Sequence, residues 1–310
     1  LESLLENSLS PQTLATYGSG LAHWQSWCDS QGIPEDDCFP APSHTLAFFL
    51  ASISTSSTSK INNAMSTLHH WHEINGQIWH GNDPFLLKVC HAATSSLPSS
   101  PSLPPRPPVF PVHLFALQNH LDFNNTFDSA VFAVATCAFW GVCHLGELTV
   151  PSVTSFDATI HVSWAPGVMF LGSGPSPTCS AKFHVPWTKT TKFLGADICI
   201  TVISHGSSPV LAMEHHLLSN RGLHGLLPLA HLFAYRTASG CLPMTKMAFN
   251  AWCTEVFMHA GFPAVYGHSL WIGGATEHLW QGLSIHLLKI QGCWKSDAFE
   301  HYLWKTDEVL

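Results

Sequence analysis

The stretch from His268 to Tyr302 gathers side chains that donate protons, hold anions or attack electrophiles. It opens His268-Ser269-Leu270-Trp271 and runs through the small-residue segment Ile272-Gly273-Gly274-Ala275-Thr276. It then turns at Gly292-Cys293-Trp294 and reaches Tyr302 eight residues after that tryptophan. Upstream, His144-Leu145-Gly146-Glu147 follows an apolar run, and Trp187-Thr188-Lys189-Thr190 sets a lysine among hydroxyls. A phenol, an ammonium, imidazoles and a carboxylate are the kit of nucleophilic and general acid–base chemistry. Taken singly they are ordinary: a late tyrosine is usually packing and a lysine in Thr-Lys-Thr usually a solvated charge. Their order, and the change from helix to hairpin and back between them, is what raises the joint signal. Other chemistries fit less well. There is no nucleophile-elbow pattern and no phosphate-loop glycine motif. His69-His70-Trp71-His72 and His215-His216 invite a metal, and His69 and His72 share a helical face. No acidic or cysteine partner is suitably spaced, so no metal is expected.

In order and spacing these segments resemble the C-terminal catalytic half of the tyrosine recombinases, the integrase-like DNA breaking-and-rejoining enzymes, most of all the copies carried by fungal mobile elements. The resemblance extends over essentially the whole chain, with its strong motifs from His144 onward. It implies a tyrosine that attacks the scissile phosphorus and stores the bond energy as a 3′-phosphotyrosine, with no metal or other cofactor. Tyr302 matches the nucleophile, and Lys189, with Lys192 in reserve, the lysine acid on a hairpin. His268 matches the histidine, Trp294 the later histidine-or-tryptophan, and Glu147 the acidic brace of the first arginine. It also implies double-stranded DNA as partner, a homo-oligomer assembled on that DNA, and a nuclear location; no membrane and no small-molecule substrate are implied.

Two positions depart from the pattern. His144 stands where the first arginine belongs and Trp271 where the second does. An arginine fork grips phosphate oxygens bidentately and stays charged at any working pH. Tryptophan offers one N–H and no charge, and histidine, with an ordinary pKa of about 6.5, is only partly charged at neutrality. Removing one preorganised donor commonly costs about 10²–10³ in rate. Strand cleavage is therefore expected to be weak or absent in this copy. Two further readings stay open: a non-catalytic DNA-binding or interaction module that keeps the fold, and a decayed mobile-element remnant.

The composition bears on the same point. A chain of 310 residues with 46% hydrophobic content can build two domains with cores of their own. It has no apolar run long enough to span a bilayer and no charged-then-apolar leader, and so reads as soluble and intracellular. Its ten cysteines are scattered singly, and most read as small buried hydrophobes. The net charge is −8 with only 12 Lys and Arg, the wrong sign for a protein that must neutralise phosphates. Arginine is confined to Arg106, Arg221 and Arg236, against 22 His, 12 Trp and 10 Cys. Transitions at CG pairs turn arginine codons into His, Cys, Gln or Trp codons, so cytosine decay would leave this skew. Codons at positions 144 and 271 not one transition from arginine would count against that history.

The elements that must position these residues read as a mainly α protein with a small antiparallel β-sheet. Residues 1–94 form a helical core-binding domain: a helix from Ser10-Pro11 to Gly32-Ile33-Pro34, then His44–Ile53, Ser57–Ile74 and Pro84–Ala93. Residues 95–111, rich in proline and serine, form an extended linker. Residues 112–310 form the catalytic domain. In it, His113–Leu121 and the wholly apolar Asp128–Val142 are helices, and the latter is the expected buried centre. Strands follow at Thr159–Trp164, Lys182–Trp187 and Asp197–Ile203. Helices return at Pro209–Ser219, Pro243–Ala260, His268–Gln281, Ile285–Ile290 and Ser296–Trp304. Gly273-Gly274 is read as close helix packing beneath the site, with a flexible kink nearly as good a reading. Trp24, Trp27, Trp79, Trp280 and Trp304 are either core residues or arginine positions left on the surface.

Overall fold

A computed structural model describes residues 9, 11–95, 107–165, 167–172, 178–188, 190–220, 230–263, 265, 267–292 and 294. The chain divides into two compact units, Leu1–Pro104 and Pro105–Leu310. It is mainly helical with a small antiparallel sheet.

The first unit contains α1 (Pro11–Gln31), α2 (Glu35–Cys38), α3 (Ser43–Ser52), α4 (Thr58–Ile74) and α5 (Pro84–Ser95). Gly32 ends α1 at φ +63°, a left-handed stop that glycine takes without strain. The Ser57 hydroxyl caps α4 by accepting the Lys60 amide at 3.2 Å. Trp24, Leu46, Phe49, Leu50, Ile61, Leu68 and Leu86 form the core. Trp24 meets Phe49 edge to face at 5.1 Å and is fully buried, and Trp27 stacks on Trp24 at 5.6 Å. Trp24 is thus a core residue, with Trp27 and Trp79 packed against the same cluster. His72 donates from Nδ1 to the Leu68 carbonyl at 2.6 Å and accepts the Ala41 amide at Nε2 at 2.9 Å. Both of its ring nitrogens are taken, so it has no lone pair for a metal.

The second unit contains α6 (Pro111–His120), α7 (Thr126–Trp140), α8 (Leu145–Leu148), β1 (Met169–Gly172), β2 (Thr178–Val185) and β3 (Ala196–Thr201). These are followed by α9 (Pro209–Ser219), β4 (Tyr235–Thr237), β5 (Gly240–Leu242), α10 (Lys246–His259), α11 (Gly267–Trp280) and α12 (Ile285–Gln291). Every residue from Asp128 to Trp140 is buried, so α7 is the central helix that its unbroken apolar sequence predicts. α10 starts three residues later than the Pro243 expectation because the Thr245 hydroxyl, accepting the Ala248 amide, caps it. Ser296–Trp304 lies outside the described residues.

The sheet has the order β1-β2-β3, antiparallel throughout. Phe183 faces Ile198 and Ala181 faces Ile200, and all four side chains are buried. The first strand is not where the alternation at Thr159–Trp164 puts it. The Asp157 carboxylate accepts the Thr159 amide at 2.8 Å and its hydroxyl at 2.7 Å, while the His161 amide returns to the Asp157 carbonyl. That local turn takes up the backbone groups a strand would need. Only Val162 to Trp164 is extended, and it bonds to residues 230–232, with Trp164 N–H on the Ala230 carbonyl at 2.9 Å. The edge strand is Met169–Gly172 instead.

The apolar end of the proline-rich stretch belongs to the second unit's core. Val109 is fully buried, and its amide donates to the Ser269 carbonyl at 2.9 Å. Beside it lies the reason for the glycine pair in α11. A methyl on Gly273 would overlap the Val109 carbonyl, and one on Gly274 would overlap the Phe139 carbonyl in α7. The pair is therefore a packing device, and α11 crosses two backbones at a distance that only glycine allows. Gly274→Ala should lower stability by roughly 3 kcal/mol, the upper end of overpacking costs, because neither backbone can retreat. Urea unfolding of the variant checks this, and an unchanged midpoint would remove the packing role.

Candidate functional site

α7 ends at Gly141, and the turn that follows puts Val142 at φ 51°, a left-handed conformation rare for a β-branched residue. Cys143 bonds back to the Ala138 carbonyl, which aims His144 across the end of α11. His144 is the N-cap of α8. Its amide donates to Glu147 Oε2 at 2.8 Å, and its carbonyl accepts the Glu147 amide at 2.8 Å. The two residues of the His-x-x-Glu motif thus clamp each other through the backbone. Burial pushes the Glu147 carboxyl up to about 7, against the pull of the His144 amide.

α11 supplies the next two groups. His268 and Trp271, three residues apart, share one face of the helix. The His144 ring lies 5.1 Å from Trp271 at 18° and 5.8 Å from His268 at 9°. His268 and Trp271 are 4.9 Å apart at 15°. The three rings are nearly parallel, with their centres at the corners of a triangle. Trp294, held after α12 by its amide on the Lys289 carbonyl, tilts against Trp271 at 4.8 Å and 56°. The structure therefore brings together His144, Glu147, His268, Trp271 and Trp294. Lys189 and Tyr302 lie outside the described residues. Lys192, the alternative lysine, sits in the β2–β3 turn with its ammonium 5.5 Å from the Trp187 ring centre.

Trp271 is only 3% exposed and packs in a cluster with Val142, Ile272, Ala275, Leu279 and Leu288. Its indole has become part of the core. The ring cluster itself is two imidazoles and two indoles, so it has no fixed positive charge; any cation on His144 or His268 depends on protonation. Such a cluster can stack and donate single hydrogen bonds, but it cannot make a bidentate grip on an oxyanion.

Two features escaped the sequence. Val109 supports α11 directly under the glycine pair, and its only signal is the apolar Val109-Phe110 pair closing a proline-rich run. The exposed pair Phe193-Leu194 sits at the β2–β3 tip, signalled only by two adjacent large apolar residues before a glycine.

No family model and no curated protein sequence matches the chain. Solved structures do. A lambda integrase dimer bound to a COC′ core site matches with a TM-score of 0.56 at 15% identity, covering 97% of this chain and 91% of that one. The XerH site-specific recombinase, in a post-cleavage complex with a palindromic difH substrate, matches with a TM-score of 0.60 at 12% identity over 97% and 79% of the two chains. The Tn1549 transposon integrase in complex with transposon right end DNA matches with a TM-score of 0.53 at 13% identity over 94% and 90%. At these identities the likeness establishes the fold: helices and a small sheet arranged as in the tyrosine recombinases and integrases.

Proposed function

We propose that the chain is a tyrosine-recombinase-like protein that binds duplex DNA and whose strand-cleaving chemistry is impaired. The observation that carries this is the ring cluster. The resemblance assigns His144 and Trp271 to the two arginine positions, and the two rings pack nearly parallel with their centres 5.1 Å apart and Trp271 buried. A guanidinium pair would have to diverge around a phosphate, whereas these rings close on each other. Tyr302 is the ancestral nucleophile, Lys189 the acid for the leaving oxygen, His268 and Trp294 further donors, and Glu147 the brace. The ancestral reaction is strand exchange through a 3′-phosphotyrosine during integration or excision of a fungal mobile element in the nucleus, by an oligomer assembled on DNA.

Binding should survive the loss of chemistry, since it depends on surface cations and fold. Because the chain has only 12 Lys and Arg, binding should be weak and its dependence on salt shallow, with few counterions released. Fluorescence anisotropy of a labelled duplex over a salt series measures both. No binding even at low salt would overturn the proposal and leave a decayed remnant.

A further inference from the structure

The connection between β2 and β3 is a tight, well-bonded tip. Thr188 and Lys192 exchange backbone hydrogen bonds, the Thr188 hydroxyl accepts the Thr191 amide at 3.0 Å, and Leu194 and Gly195 bond back to Thr191 and Lys192. Lys192 takes φ 54°, so the turn is defined by its bonds and not by chance. What this tip presents to solvent is apolar. Phe193 is 74% exposed and Leu194 is 82% exposed. Side chains of this size gain when they leave water, and a well-bonded loop that holds two of them outward is suited to inserting them into something.

The charge around the tip says into what. Residues 178–201 hold three of the chain's nine lysines, Lys182, Lys189 and Lys192, and a single acidic residue, Asp197. Asp197 is itself engaged by Lys182 at 2.6 Å and His184 at 2.8 Å. In a chain of net charge −8, this hairpin is locally cationic. Among the described residues Lys192 adjoins the apolar pair, and an apolar point in a locally cationic stretch of chain matches a polyanion with an apolar interior that opens at a step, which is duplex DNA.

We propose that Phe193 and Leu194 form a wedge that enters between stacked base pairs of duplex DNA while the adjoining Lys192 holds a flanking phosphate. This rests on the proposed DNA binding and adds a deformation of the duplex to it. Intercalating apolar side chains unstack the step they enter and kink the helix. The protein would then choose positions by how easily they unstack, favouring flexible pyrimidine–purine steps, even without its arginines.

The test uses the full chain and low-salt duplexes carrying 2-aminopurine at scattered pyrimidine–purine steps, a base whose fluorescence rises when it is unstacked. The parent should raise that fluorescence severalfold on binding. The Phe193→Ser/Leu194→Ser variant, altered only at exposed positions, should bind in the anisotropy assay and lose most of the rise. Binding by both proteins with no rise, or with the same rise, would overturn the wedge and leave DNA binding intact. No binding by the parent would overturn both. Capture of the parent by anionic lipid vesicles in place of DNA, lost in the variant, would assign the tip to a membrane surface and overturn the proposal.

Discussion

His144→Arg combined with Trp271→Arg should give the chain a Tyr302-linked covalent DNA adduct that the parent does not form. On a nicked suicide duplex the parent should stay at background, and the double variant should accumulate a species that a denaturing gel retards and Tyr302→Phe abolishes. The size follows from the donors at stake. Each preorganised donor facing a developing oxyanion is worth about 10²–10³ in rate, and the two act on one phosphate, so either single variant should recover far less than the pair. The structure adds a condition. Trp271 is buried among Val142, Leu279 and Leu288, so an arginine there loses packing and carries a charge into an apolar cluster. The His144 amide already occupies Glu147, whose carboxyl burial lifts to about 7; a guanidinium beside it would pull that carboxyl back toward its charged form. The double variant should therefore be less stable than the parent but still folded, which a thermal melt establishes before the assay. An adduct formed by the parent would end the claim of impaired chemistry. A folded, DNA-binding double variant with no adduct would show that the loss is not confined to these two positions.

Stability should fall steadily as pH drops from 7 toward 4. His216 is fully buried, donates from Nε2 to the Leu232 carbonyl at 2.9 Å and accepts Asn220 Nδ2 at 3.1 Å, and burial pushes it down to about 4. His231 accepts the Phe233 amide at Nδ1, and burial together with the nearby His161 and His216 pushes it down to about 3. Burial also lowers His72, His113 and His161. For a histidine held neutral in the folded state, the unfolded chain binds the extra proton first. Stability is therefore full above the ordinary histidine pKa near 6.5 and falls as pH drops toward the lowered values. By pH 4 the two deeply buried rings alone should remove on the order of 6 kcal/mol, at about 1.36 kcal/mol per pH unit for each. That is comparable with the whole net stability of an ordinary domain, about 5–15 kcal/mol. Glu147 works in the opposite direction: its raised pKa favours the folded state at low pH and loses that contribution as pH rises toward 7, an effect about as large as that of His216 alone, so it offsets about half of the histidine loss. Urea unfolding at steps from pH 7 to pH 4 should show the decline, and His216→Asn and His231→Phe should each flatten it even if they cost stability at pH 7. A stability that is flat down to pH 5 would sink the argument.

Helices were legible wherever local pattern and local chemistry agreed. The apolar run at Ala130–Val134 and Phe139–Trp140 could only be a buried helix, and the Ser57 cap and the Gly32 stop were spelled out in residue type. Thr159–Trp164 was misread because alternation measures only which faces could be apolar, while Asp157 bends that backbone through bonds that no periodicity records. The short α8, which carries Glu147, was too brief for any periodic signal.

By itself, the sequence determined which chemical groups the chain possesses and the order in which they occur, with only three guanidinium groups and a net charge of −8. That is a matter of composition and local spacing, which folding does not alter. Only the tertiary structure decided which of those groups meet. Residue 144, the pair 268 and 271, and residue 294 come from separate segments of the chain, and how their rings meet depends on how closely α11 approaches its neighbours at Val109, Phe139 and the glycine pair. Whether an indole lies in a core or a histidine stays neutral depends on the atoms that surround it from distant segments, and no local pattern carries that information.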